Sequence, residues 1–142
     1  MGYLERMAYF KGLERGLLGE KPESLHVEPH VLIALVILKT RRRFEVGKME
    51  DIAKVIVDAG EKGVDISDIS IRPGARGYKS PDVAQFLGQY LATGYATDSP
   101  FKLTILGLET VKAIVREAYE ADPQTLEEVG NIIELDIKKV IK

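Results

Sequence analysis

The residues best able to act on a charged partner lie in one short stretch. Arg72, Arg76 and Lys79 fall within Arg72-Pro73-Gly74-Ala75-Arg76-Gly77-Tyr78-Lys79, which carries three cations and no acid. Its proline and glycines mark it as a loop, and an arginine loop with glycines can lie along phosphate oxygens. Ser80-Pro81-Asp82 follows at once. This triplet is a helix start: Ser80 serves as N-cap, Pro81 opens the first turn, and Asp82 sits at the positive end of the dipole. Backbone N–H groups at Ser80 to Asp82 offer an anion site. Further along, Gln85 and Gln89 carry amides able to bond the N6 and N7 edge of adenine in a major groove, and Lys102 adds another cation. Each has a plainer reading, as a solvated loop or a solvated helix face.

Other chemistry is thinly represented. Lys39, Arg41, Arg42 and Arg43 form the densest basic cluster. They read either as contacts to DNA flanking a site or as a helix C-terminal cap paired with Glu45, Glu50 or Asp51. His26-Val27-Glu28-Pro29-His30 holds both histidines, but its spacing matches no zinc signature. With no cysteine, the chain has no disulfide framework, thiol nucleophile or cysteine-ligated metal. It lacks a Gly-Lys-Ser/Thr phosphate loop, a Gly-x-Ser-x-Gly elbow and a paired-carboxylate motif, and Glu109, Glu127 and Glu128 read as routine helix-surface acids. No enzyme, cofactor or metal is expected.

Bulk properties narrow the class. The 142 residues suit one ordinary domain with a helical extension. Apolar residues at 45% and charged residues at 30% allow a sizeable core and exclude a disordered tail protein. Twenty Lys and Arg against 22 Asp and Glu leave a formal charge of -2, so contact with nucleic acid must come from a local basic patch. Residues 1–21 mix charges with apolar residues, unlike a signal peptide. The longest apolar run, 31–38, is far short of the roughly 20 residues that span a bilayer. A soluble cytoplasmic protein is expected, with a charged fraction and a lack of Cys and Trp that lean toward a thermophile.

The elements that must position these residues follow from periodicity. Leu4, Met7, Ala8, Leu13 and Leu17 predict an N-terminal helix, weakened by Gly12 and Gly16. Residues 29–43 predict a helix, apolar on all sides from Val31 to Leu38 and therefore buried in this core or in a dimer interface. Residues 49–59 predict an amphipathic helix with Ile52, Val55, Ile56 and Ala59 on one face, stopped by Gly60 and Gly63. A turn of helix through Ile66, Ile69 and Ile71 is expected next, capped by Asp65 or Ser67. The helix of 81–93 turns Val83, Leu87, Tyr90 and Leu91 to the core and leaves Asp82, Gln85, Gln89 and Phe86 outward. A hairpin follows, of 95–97, a turn at Asp98-Ser99-Pro100, and 101–105. After Gly107 comes a helix with Leu108, Val111, Ile114, Val115 and Ala118 on its stripe. The Asp122-Pro123 start opens another through Leu126, Val129, Ile133, Ile137 and Val140.

This order of helix, short helix, capped helix, hairpin and helix resembles the winged helix-turn-helix superfamily of prokaryotic DNA-binding regulators, archaeal and bacterial. The residues carrying the resemblance are Ile52 to Ala59, Ile66 to Ile71, Val83 to Leu91, Gly94-Tyr95, and Phe101-Lys102-Leu103-Thr104-Ile105-Leu106-Gly107. The resemblance implies a mainly α fold with a small β-hairpin (α+β), a winged helix-turn-helix flanked by N- and C-terminal helices. The chain divides into residues 1–48 as a helical extension, 49–106 as the winged core, and 107–142 as C-terminal helices, the flanking parts serving dimerisation because the apolar stripes of 4–18, 31–38 and 126–141 exceed what one small winged domain needs to cover itself. It further implies a homodimeric transcriptional regulator that reads double-stranded DNA with the helix of 81–93, Arg72, Arg76, Lys79, Ser80, Gln85, Gln89 and Lys102 making the contacts. Two departures stand out: the linker before the recognition helix is long, and that helix has no outward Arg or Lys. A winged-helix module that binds a protein through the Phe86 face, and no DNA, is the alternative.

Overall fold

The computed structural model describes residues 25–40, 49–75, 77–98 and 100–142. It is mainly helical, with three separate two-stranded pairings. In chain order the elements are β1 (Leu25–His26), α1 (Pro29–Thr40), α2 (Met49–Glu61), β2 (Val64–Asp65), β3 (Arg72–Gly74), β4 (Gly77–Lys79), α3 (Pro81–Ala92), β5 (Ala96–Thr97), β6 (Lys102–Leu103), α4 (Ile105–Ala121), α5 (Pro123–Ile132) and α6 (Ile137–Val140). The N-terminal helix expected over residues 4–17 and the run Arg41 to Arg43 lie outside the described residues.

The all-apolar helix α1 is the centre of the fold. Pro29 opens it without wasting a donor, and the Glu28 carbonyl accepts from both Val31 and Leu32 at 3.0 Å. All eight residues from Val31 to Leu38 are buried, chiefly against α4 and α2, with α3 at one side. Of the two expected fates for this helix, burial in the protomer's own core is the one observed. Its apolar side chains belong to a single cluster with Ile52 and Ile56 of α2, Val83 and Tyr90 of α3, Val111 and Val115 of α4, and Leu126 and Val129 of α5.

Three local structures differ from expectation. Between β2 and β3 there is no helix. The Asp65 carboxylate accepts from the Ser67 N–H at 2.9 Å and from its hydroxyl at 2.6 Å, and Ile69 N–H donates to the Ile66 carbonyl. Such an Asx turn competes with helix and stops after one turn. Residues 72–74 and 77–79 form an antiparallel ribbon where a loop is expected, pairing Arg72 with Lys79, Pro73 with Tyr78 and Gly74 with Gly77. Gly77 has φ 120°, which side-chain-bearing residues rarely adopt. The C-terminal stripe of 126–140 is two helices: α5 stops at Ile132, and α6 restarts where the Asp136 carboxylate caps the Lys139 N–H at 3.4 Å.

Candidate nucleic-acid interface

The helix α3 begins as its sequence requires. Ser80 is extended (φ -136°, ψ 115°), and its hydroxyl accepts from Val83 N–H at 3.2 Å. It is also the one buried polar residue among the described core residues, 1% exposed. The Ser80 side chain is therefore committed to the cap and faces the interior. Asp82 has a task as well, its carboxylate accepting the Ser70 N–H at 2.7 Å. That bond ties the turn before the ribbon to the first turn of α3.

The inward face of α3 holds Val83, Phe86 and Tyr90, with Leu87 and Leu91 half-buried. Phe86 thus points in, not out. Its ring stacks on Tyr90 (centroids 4.8 Å apart, 20° between planes), and Tyr90 meets Tyr95 edge-on at 5.7 Å. Positions 83, 86 and 90 share a face in steps of three and four, and aromatic stacking secures Phe86 there. The Tyr90 hydroxyl is buried with no hydrogen-bond partner among the described residues. Burial first, and Tyr95 second, push its pKa up to about 12.

The outward face is narrow and short-chained: Ala84, Gln85, Gly88, Gln89 and Ala92 are exposed. Gly88 was not singled out by sequence. A Cβ built there meets nothing within 4 Å, so no internal packing requires glycine. The helix ends at Gly94 (φ 80°), whose neighbour Tyr95 N–H donates to the Tyr90 carbonyl at 2.9 Å.

Two hairpins adjoin α3 along the chain. After it, β5 and β6 pair Ala96 with Leu103 and Thr97 with Lys102. The hairpin is locked to the next helix, since Thr104 N–H donates to the Tyr95 carbonyl at 2.9 Å while its hydroxyl caps Gly107 at 3.1 Å. With Thr104 as cap, α4 starts at Ile105, three residues before the start expected after Gly107. Gly107 itself is packed against Tyr95: a Cβ there would lie 1.9 Å from the Tyr95 carbonyl oxygen. Ahead of α3, the ribbon β3–β4 rests on α2 and exposes Arg72 and Lys79. Lys102 is exposed on the other hairpin. Arg76 lies outside the described residues.

The remaining candidates sit elsewhere. Lys39 pairs with Glu134 at 3.8 Å and, among the described residues, not with Glu50 or Asp51; Glu45 lies outside the described residues. His26 lies 3.3 Å from Asp65 across the β1–β2 pairing and 3.9 Å from Glu28 two residues on. Burial raises the Asp65 carboxyl, but the Ser67 bonds and His26 outweigh it and hold the group below its usual value. Among the described residues no three His, Cys, Asp or Glu gather into a possible metal site, and no helix is long and apolar enough to cross a membrane. At the α5–α6 junction a cleft of about 470 Å³ is lined by Glu127, Asn131, Glu134 and Lys138 among others. There the Tyr119 hydroxyl donates to Glu127 at 2.8 Å, and Lys138 lies 3.2 Å from the same oxygen. The two hold the Glu127 carboxyl below its usual range, a role its sequence position did not announce.

Comparison with models of known protein families, with characterised proteins and with solved structures gives no match for this chain.

Proposed function

We propose that the chain is a winged-helix DNA-binding protein, a dimeric transcriptional regulator that lays α3 in the major groove. The observation that carries this reading is the outward face of α3. Gln85 and Gln89 stand exposed on a ridge otherwise made of Ala84, Gly88 and Ala92, a profile that lets a helix backbone approach base edges closely while two amides read them. A glycine in mid-helix is unfavourable by about 1 kcal/mol. Since no described residue packs where a side chain at 88 would sit, an outside partner supplies the reason. Cations precede and follow α3 in the chain, Arg72 and Lys79 on one hairpin and Lys102 on the other, and on this reading they meet the phosphates that bound the groove. Asp82 keeps its negative charge and counts against phosphate contact, but its carboxylate is tied to the Ser70 N–H.

The single turn at 66–69 and the inserted ribbon are departures from the winged-helix pattern. Of the apolar stripes that argue for a dimer, that of residues 4–18 lies outside the described residues, and the other two are largely used within the protomer. Residues 31–38 are buried within the protomer, as are Leu126, Val129, Ile133 and Ile137.

A second reading, a protein-interaction module, draws on Ile105 and Leu106, which are 73% and 66% exposed side by side. Its original contact, Phe86, is buried. Fluorescence anisotropy with duplex DNA at several salt concentrations separates the two. Three phosphate contacts per protomer in a dimer give a log–log slope of roughly -5. Flat, weak binding at low salt overturns the DNA reading, and a monomer mass in light scattering overturns the dimer.

A further inference from the structure

In an antiparallel pair, directly opposed residues project to the same face, as do residues two positions apart. Arg72 opposes Lys79 and Gly74 opposes Gly77, so one face of the β3–β4 ribbon carries two cations and two glycines. Pro73 and Tyr78 take the other face, where Tyr78 is half-buried. Like charges placed opposite one another destabilise a strand pair. A ribbon serving only the fold would set a carboxylate beside one of them. Among the described residues neither Arg72 nor Lys79 forms an ion pair. Lys79 instead leans over Gly74, where a Cβ would sit 3.3 Å from its Cε and 3.4 Å from its Cγ. That posture carries the ammonium toward the ribbon tip and away from Arg72. The nearest acids are placed otherwise: Asp82 accepts from Ser70, and Glu50 lies in the first turn of α2 beside Gly77, where the helix dipole favours it.

We propose that this face of the ribbon binds the sugar–phosphate backbone of duplex DNA, which supplies the missing counter-charge. The inference rests on the DNA-binding reading above and adds that the ribbon contact is independent of base sequence. Two cations set across the strand pair, with the Lys79 chain leaning over bare Gly74 toward the tip, match a row of repeated anions better than one compact anion. The ribbon ends at Lys79, two residues before α3 begins, so a duplex lying against α3 passes it.

The test is the double variant Arg72→Ala/Lys79→Ala in the full chain. Anisotropy is recorded against two duplexes of unrelated sequence, and thermal melting is recorded beside it. The salt slope of the variant is expected to be shallower by about 2 per protomer, with the same fold loss of affinity on both duplexes. Its melting temperature is expected to be no lower than that of the parent. A parent that binds with a steep slope and a variant that keeps that slope would overturn the ribbon contact and leave the DNA reading standing. Absence of salt-dependent binding by the parent would overturn both. A marked fall in melting temperature would assign the pair to the fold and also overturn the proposal, as would an affinity loss confined to one duplex.

Discussion

Gly94 and Glu134 occupy the same position in two equivalent helix caps. Each follows the last helical turn with a positive φ, 80° for Gly94 and 61° for Glu134. The residue after each donates back across the turn, Tyr95 to the Tyr90 carbonyl at 2.9 Å and Leu135 to the Gly130 carbonyl at 2.7 Å. The capping residues do likewise, Gly94 to Leu91 and Glu134 to Asn131. This is the Schellman arrangement, in which glycine is the favoured residue. A glutamate in that conformation is strained by about 1 kcal/mol, and its partner Lys39 offers only a mostly exposed ion pair, of small value.

Replacing Glu134 by Gly is therefore expected to raise stability by about 0.5–1 kcal/mol despite the lost pair. Urea denaturation checks this, and a midpoint below the parent's would show that the Lys39 pair outweighs the strain.

Gly107 makes the opposite case. A Cβ there collides with the Tyr95 carbonyl oxygen at 1.9 Å and carbon at 2.8 Å, both backbone atoms. Gly107→Ala should lose about 3 kcal/mol or more, because α4 must lift off the β5–β6 hairpin. A melting temperature close to the parent's would contradict the close approach.

Tyr90 links burial to alkaline pH. Its folded pKa is raised above the ordinary 10 to about 12. The stability this brings is complete below pH 10 and is lost as pH rises through 10 toward 12, by at most about 1.4 kcal/mol per pH unit. Tyr90→Phe should remove that decline. At neutral pH it should also gain about 1 kcal/mol, because an unpartnered buried hydroxyl disappears. Urea midpoints at pH 7 and pH 11 for both proteins measure the two effects separately.

Gly88→Ala should stabilise the fold by about 1 kcal/mol, since the space for the methyl group is open. On the proposed function it should weaken DNA binding at the same time. A variant that melts higher and binds DNA as tightly would take α3's ridge out of the interface.

What the sequence announced and what it hid divide along physical lines. Ser80-Pro81, Asp122-Pro123 and Gly94 were legible because capping acts over three or four residues, and each stands where local chemistry put it. The fate of 66–71 turned on a contest between a turn of helix and an Asx turn, which a side-chain oxygen of Asp65 decides by distance. The ribbon was hidden because Pro and Gly mark loops and tight hairpins alike. Phe86 was misplaced because its core position depends on the rings of Tyr90 and Tyr95, the second supplied by the chain beyond the helix. Within the candidate site, the cation-bearing segments and the two glutamines were legible from residue type. The meaning of Gly88 and of the Arg72–Lys79 opposition needed the register and the empty space around them.

The central helix bears on how far the chain can be divided. Because α1 lies before α2 in sequence yet supplies the floor beneath α2, α3 and α4, a fragment beginning near residue 49 loses eight buried side chains at once. Such a fragment would expose the inner faces of three helices and is expected to aggregate. Contacts between α1 and α4 also span more than half of the chain, so loop closure must precede consolidation of the core. In hydrogen exchange, the amides of α1 should open only with global unfolding, which makes them a readout of the molecule's cooperativity.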